Sequence, residues 1–417
     1  MNTDTVLAIA QQSREASRLL SLTSESLRNS ALIQMAQALE AIQSQVFAVN
    51  AQEVEKARQT GQTAAMVKRL TLDEKVFQYM LSRLRKVAQA PDPLNRVLEG
   101  HTNPNGLKVF KKSVPIGVVG MIYESRPNVT SDAAGVCIKS GNAIILRGGS
   151  EALETNVLLA DAMINGALDA GLPAHAIQII RTPGHESVGE LLTMNEYVDV
   201  LIPRGGKGLI KRIADGTRIP VIKHYDGICH LYIADDADSE QAVALAVNSK
   251  CQSVQVCNAL ETLLVDQNGA EKILPLLQAA FAAQGIALRG CEHTGKILAG
   301  IDLATEEDWH SEYLAPILSI KIVSGLEAAM AHINYYGSGH TDGIVTQSLM
   351  RAQQFEQQID SASVLINAST RLSGGGDYGL GSVVGISTDK LHARGPVGPE
   401  QLTTYKWVVY GEGHLRA

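Results

Sequence analysis

Cys257 stands in Gln252-Ser-Val-Gln-Val-Cys257-Asn258-Ala-Leu-Glu261-Thr262, directly ahead of the apolar run Leu263-Leu264-Val265. A thiol at a loop-to-strand junction, among small and polar neighbours, is within reach of a substrate. A thiolate attacks carbonyls well and also leaves well, which suits a covalent acyl intermediate. The other reading is a buried structural cysteine, the commoner state of a lone Cys. Cys137 and Cys229 lie in apolar stretches and read as packing residues. Cys291-Glu-His293 offers two metal ligands, but nothing nearby completes a zinc set, so no metal is expected.

Cationic and glycine-rich segments suggest a dinucleotide cofactor and sites for anions. Arg147 ends the apolar run Ala143-Ile-Ile-Leu-Arg147 and is followed by Gly148-Gly149-Ser150. In a nucleotide fold the residue at that place reads the ribose: an acid takes a free 2′-hydroxyl, an arginine a 2′-phosphate. An ordinary surface arginine is the alternative. Ile202-Pro-Arg204-Gly205-Gly206-Lys207-Gly208 follows a strand and opens a helix, where glycines let a phosphate reach backbone N–H groups at the positive helix end. A plain strand-to-helix turn would need one glycine rather than three. Arg371 and Arg394 are the best anion clamps, with Ser369, Thr370 and His392 beside them. Each has a structural alternative, since Arg394-Gly-Pro396 would also brace a turn.

These residues need elements to hold them. The first hundred residues read as helices, with apolar spacing from Leu20 to Gln43 and capping boxes at Asn50/Glu53 and Thr71/Glu74. Gly106–Ser113 is an extended, partly alternating stretch, an arm or a hairpin strand toward a neighbouring subunit. From Ile116 the rhythm becomes strand, helix, strand: Ile116–Ile122, Ala143–Arg147, Ala176–Arg181 and Val198–Ile202. Continuous apolar strands alternating with helices mean a parallel sheet covered on both faces. A second α/β unit starts near Gly227, with strands at His230–Ala234, Leu263–Val265, Ile317–Val323, Gly343–Thr346 and Ser363–Ile366. A late strand, Thr403–Tyr410, is placed to pair with the arm. The expected organisation is a cofactor-binding domain at 1–102 and 115–226, a catalytic domain at 227–398, and an arm at 103–114 with a tail at 399–417.

The chain has 417 residues, a net charge of −7, 45% apolar and 19% charged residues. That is a globular composition with room for two cores. No basic stripe suggests nucleic acid and no apolar run is long enough to span a membrane. The N-terminus lacks a basic start and an apolar signal core, and five cysteines, an odd number, argue for reduced thiols. A cytoplasmic location is therefore expected.

The ordered motifs Tyr123-Glu-Ser-Arg-Pro-Asn128-Val, Gly141–Gly149, Leu201–Gly208, Cys257–Thr262, Asn367–Arg371, Tyr378–Gly381, Leu391–Pro396 and Leu402–Trp407 resemble the aldehyde dehydrogenase superfamily, essentially end to end. The resemblance implies an aldehyde dehydrogenase-like α/β fold. Within the superfamily it points to the branch that reduces L-glutamyl 5-phosphate to glutamate 5-semialdehyde in proline biosynthesis, with NADP(H) as cofactor. It places Cys257 at the nucleophile and Asn128 near the oxyanion-stabilising amide. Glu312, in Glu312-Tyr-Leu-Ala-Pro316, falls where the superfamily holds the nicotinamide ribose; on its own it reads as a surface acid. A homo-oligomer and a glutamate 5-kinase partner fit the same branch. Hydrolytic members carry a glutamate base that activates water, whereas the stretch here is Lys223-His224-Tyr225-Asp226-Gly227. A reductase must keep water from its thioester, so that loss is chemically sensible. His224 reads as a loop histidine without a catalytic role, a substitute base being the other reading. A CoA-acylating enzyme and a non-redox cysteine hydrolase are the competing functions. The hydrolase would leave Arg147 and Arg204-Gly-Gly-Lys-Gly unexplained.

Overall fold

The computed structural model describes residues 5–416. The chain forms two compact units. The first runs to Lys223 and takes in Gly379–Gly385 and the chain from Leu391; the second is His224–Tyr378 with Ile386–Lys390. The segments 379–385 and 391–398, expected in the second domain, thus cluster with the first, as do the arm and tail. Among the described residues, no helix is long and apolar enough to cross a membrane.

The first unit opens with five helices, Val6–Leu20, Glu25–Ala41, Gln43–Gln59, Ala64–Leu70 and Glu74–Gln89. Thr5, Ser24, Thr63 and Asp73 each accept a first-turn N–H and set four of the five starts. Both expected capping boxes are wrong. Asn50 lies inside the third helix, buried, donating to the Leu70 carbonyl and accepting from the Leu72 N–H. Thr71 ends a helix and Asp73 starts the next. A short polar side chain caps a helix or bridges to a distant backbone, and sequence spacing cannot separate the two.

A parallel sheet follows, in the order β5-β4-β3-β6, from β3 (Val118–Tyr123), β4 (Ala143–Gly148), β5 (Ile177–Ile179) and β6 (Val200–Arg204). β3 and β4 are buried along their whole length, as their uninterrupted apolar sequences require. β1 (Val97–Thr102) and β2 (Lys108–Pro115) form an antiparallel hairpin, and the tail strand Thr403–Tyr410 pairs with β2 from Thr403↔Pro115 to Tyr410↔Lys108. Its Tyr405, Trp407, Val409 and Tyr410 are exposed.

The second unit holds a seven-stranded parallel sheet, β10-β9-β11-β8-β7-β12-β13. Its strands are β7 (Cys229–Ile233), β8 (Leu260–Asp266), β9 (Ala287–Gly290), β10 (Asp302–Leu303), β11 (Ile317–Val323), β12 (Thr341–Val345) and β13 (Ser363–Ile366). β7, β8 and β12 lie side by side in the middle of the sheet and are fully buried.

One buried histidine is expected to make this unit acid-sensitive. His332 is 5% exposed, with Nδ1 3.2 Å from Lys321 Nζ and its ring against Trp309, His230 and Tyr336. Burial first, then the charges of His230, Lys321 and His310, lower its pKa from 6.5 to about 2. The folded value lies below the unfolded one, so stability is intact above pH 6.5 and falls as the pH drops from 6.5 toward 2. The slope is about 1.4 kcal/mol per pH unit for the single group. We expect His332→Phe to flatten the acid limb of stability between pH 6.5 and 4, measured by denaturant titration at each pH. An unchanged slope would assign the acid sensitivity to other groups.

Candidate active site

Parallel pairing in the second unit brings three separate segments to one edge. Cys229 opens β7, His340 immediately precedes β12, and Cys257 lies on the turn three residues before β8. Since β8, β7 and β12 are neighbours, the amino ends of the three strands bring these side chains together. Cys257 is partly buried, and its Sγ forms a cluster with one ring nitrogen each of His224 and His340, all within 4.8 Å of one another. The two imidazoles meet edge to face with centroids 5.3 Å apart.

The backbone of the turn is fixed from below. A Cβ on Gly227 would lie 1.8 Å from the Cys257 carbonyl oxygen, so only glycine permits this approach. The buried Cys229 thiol donates to that same carbonyl at 3.2 Å, and the Asp342, Cys257, Glu261 and Glu312 charges add to burial in pushing it well above the usual thiol range. Cys229 is therefore a neutral strut under the Cys257 turn, a closer role than the general packing expected of it. The Ala259 N–H closes the turn on the Val256 carbonyl at 3.0 Å.

Arg371 holds the turn from the side. Its Nε donates to Gln252 Oε1 at 2.8 Å, and its guanidinium bonds the Asn258 side-chain oxygen. Asn258 Nδ2 in turn donates to the carbonyls of Arg371 and Ser373. Burial lowers the guanidinium pKa, and the Cys257 charge opposes that shift. The expected anion clamp thus also brackets the cysteine, from residues 252 and 258. Ser369 is buried, accepting from the Ser249 hydroxyl and the Arg371 N–H, and so orders the Arg371 turn. Glu312 lies partly buried in this unit, and its charge acts on Glu261 and Cys229. Beneath the turn, Lys250 Nζ and Glu261 Oε2 form a 2.6 Å ion pair with both side chains inaccessible to solvent.

The first unit carries the remaining expected residues. Arg147, at the carboxyl end of β4, is 7% exposed, bonds the Gly148 and Gly184 carbonyls and leaves Nε without a partner among the described residues. Gly148 packs against Asn156, and Gly149 against the Glu151 carboxylate. Arg204 ends β6, next to β3 at the point where strand order reverses. Gly205 and Gly206 lead into the helix Lys207–Gly216 with open space beside Gly206. A Cβ on Gly205 would meet Glu124, whose carboxylate accepts the Gly206 N–H at 2.9 Å. The protein's own carboxylate therefore holds the anion position at this helix start. Asn128 is the first residue of the helix Asn128–Lys139, and its amide donates to Asp132 at 3.1 Å. Asp132, raised by burial, is paired with Arg83. His392 is exposed and Arg394 partly buried.

Three features of the candidate site are not legible in the sequence: His340, the place of His224 beside the thiol, and the Lys250–Glu261 pair. His340 is 83 residues from Cys257, and only strand order joins them. His224 was read as a loop histidine; in the structure its Nδ1 is 2.9 Å from the Ile386 carbonyl.

The aldehyde dehydrogenase family model matches residues 1–287 and 297–379. The gamma-glutamyl phosphate reductase of Thermotoga maritima is 38% identical, with 99% of this chain and 100% of that one covered and a TM-score of 0.97. The Saccharomyces cerevisiae gamma-glutamyl phosphate reductase is 29% identical over 99% and 98%, with a TM-score of 0.56. An acetylating aldehyde dehydrogenase from Geobacillus thermoglucosidasius is 20% identical over 99% and 97%, at a TM-score of 0.69.

Proposed function

This chain belongs to the aldehyde dehydrogenase family, and from that premise we propose that it reduces L-glutamyl 5-phosphate to L-glutamate 5-semialdehyde with NADPH, releasing phosphate. The observation that carries the reading is Cys257 on a rigid turn, flanked by two imidazoles and facing the Arg371 guanidinium. A cation and an adjacent base are what turn a thiol into a nucleophile.

His224 donates Nδ1–H to the Ile386 carbonyl, so Nε2 is the nitrogen that takes the thiol proton. The thiolate attacks the acyl phosphate carbonyl, phosphate leaves, and a thioester remains on Cys257. The Cys257 N–H and the Asn128 amide are the assigned oxyanion donors, each worth about 3 kcal/mol. Arg371, Arg394 and His392 are assigned to the anionic ends of the substrate, with Ser369 acting through the Arg371 turn. When bound, NADPH supplies the hydride. Two features support an NADPH site. The orphaned Nε of Arg147 lies at a strand end, and Gly206 leaves open space at a helix start beside the strand-order reversal, where a cofactor phosphate would displace the Glu124 carboxylate from the Gly206 N–H. Arg147 would hold the 2′-phosphate, Gly148, Gly149, Arg204, Gly205 and Gly206 would line the phosphates, and Glu312 would hold the nicotinamide ribose. We assign self-association to the exposed apolar strand Thr403–Tyr410 and its hairpin. The short life of an acyl phosphate in water favours delivery by a glutamate 5-kinase.

The reverse assay tests the function. With glutamate semialdehyde and NADP⁺, sustained NADPH formation should require phosphate or arsenate. Without either, at most one NADPH should appear per site, because no glutamate stands in 223–227 to activate water. Sustained phosphate-free turnover with free glutamate accumulating would show that His224 or another base activates water. Turnover with coenzyme A in place of phosphate would reassign the acyl acceptor.

Cofactor choice is tested separately. Arg147→Ala should raise KM for NADPH by at least about tenfold, the effect of losing about 1.4 kcal/mol from a charge-assisted phosphate contact, and alter KM for NADH little. Equal effects on both would remove Arg147 from 2′-phosphate recognition.

A further inference from the structure

We propose that His224, Cys257 and His340 form a binding site for a thiophilic divalent cation, zinc in the first instance, whose occupancy masks the nucleophile. One thiol sulfur and two imidazole nitrogens are a borderline-soft donor set of the kind zinc takes, and three protein ligands leave a fourth position for water. Their ligand atoms already lie within 4.8 Å of one another. Tetrahedral zinc with ordinary bond lengths would hold them roughly 3.3–3.6 Å apart, so closing the site takes about 1 Å of side-chain movement.

The surroundings of both rings match those of ligating histidines, which fix the distal nitrogen with a hydrogen bond. His224 Nδ1 is held by the Ile386 carbonyl at 2.9 Å. His340 Nδ1 lies 2.8 Å from Thr341 Oγ1, and that hydroxyl is itself 2.7 Å from Ser373 Oγ. Nε2 is then the ligating nitrogen of each ring. The buried His340 and the Gly227–Cys257 backbone contact supply a rigid side of the site, and the partly buried His224 supplies the side that moves. The Arg371 guanidinium near Cys257 opposes a dication, while Glu312, whose charge acts on Cys229 under the same turn, favours one; the Glu261 charge is offset by its Lys250 partner. Binding replaces the Cys257 S–H by an S–Zn bond and sends one proton to the buffer. While the metal is bound, the thiolate lone pair is unavailable to an acyl carbon, and a chelator restores it.

The test uses the full chain, stripped with a chelator, and reads no activity. Zinc from a buffered micromolar stock should bind once per chain and slow alkylation of Cys257 by iodoacetamide at least tenfold, reversibly with chelator. Cobalt(II) should give a thiolate-to-metal charge-transfer band. That band should vanish in Cys257→Ser, and His224→Gln and His340→Gln should each weaken binding at least about tenfold. Unslowed alkylation at micromolar zinc overturns the proposal. So does protection equal to the parent in both histidine variants, or a band that survives Cys257→Ser and disappears in Cys291→Ser.

Discussion

Replacing Cys257 by alanine is expected to cut turnover roughly 10⁴–10⁶-fold, the usual cost of removing a covalent nucleophile from an assembled site. NADPH binding, followed by its fluorescence, should be unchanged, because the residues assigned to the cofactor phosphates belong to the first unit. The fold should survive as well, since the side chain is only partly buried and the turn is held by backbone and neighbours: the Gly227 contact, the Cys229 thiol and the Arg371 bridge. Cys137→Ala is the proper control. Its thiol is 1% exposed in the first unit's core, so activity should be near that of the parent. Cys229→Ala is not neutral, because it removes a donor from the Cys257 carbonyl. Residual turnover within about tenfold of the parent in Cys257→Ala would exclude a thioester on this residue.

The largest expected stability loss comes from splitting the Lys250–Glu261 pair. Lys250 is the penultimate residue of the helix Ser239–Cys251 and Glu261 is the second residue of β8, so the pair spans the two ends of the segment that carries Cys257. Burial is the leading influence on both groups, lowering the lysine pKa and raising the glutamate to about 7 from 4.5. Removing one partner leaves the other charge buried alone, at a cost of about 3–5 kcal/mol. Lys250→Met should therefore be severely destabilised, and the Lys250→Met/Glu261→Leu double variant should recover most of the loss. The pH dependence has a definite sign. Glu261 has a folded pKa above its unfolded one, so its contribution is fully present below about 4.5 and is lost as the pH rises through about 7. The deficit of Lys250→Met should widen from pH 5 to pH 8 in denaturant titrations. A pH-independent deficit under 1 kcal/mol would mean that water reaches the pair.

Strong local signals made much of the fold legible. Ile317–Val323, Ser363–Ile366 and Thr403–Tyr410 are strands at the bounds read from sequence, because apolar or β-branched runs there end at turn-forming residues. The pairing of the tail with the arm also holds, and the arm is a hairpin strand, with β1 as its partner. Asn50 failed because its hydrogen bonds run to residues 20 and 22 positions away. At the candidate site, the place of Cys257 on a turn leading into a strand was readable from its own surroundings. His340 was not, since Gly-Ser-Gly-His340-Thr reads as a turn and its meaning comes from β12 lying next to β7. Arg371 was read as a cation, but its grip on residues on either side of the cysteine is a three-dimensional fact.

The discontinuity of the first unit has a consequence for how the chain is made. The Leu402 side chain is buried in that unit's core, its carbonyl accepts from Asn142, and the strand that completes β2 begins at Thr403. A ribosome therefore delivers the contiguous stretch 224–378 whole while the amino-terminal sheet still lacks its closing segment. Domains generally fold as units during synthesis, starting from the amino end. Here the later-made unit is the first that can finish, and the earlier one must wait, with β2 unpaired along one edge, until Thr403–Tyr410 clears the exit tunnel.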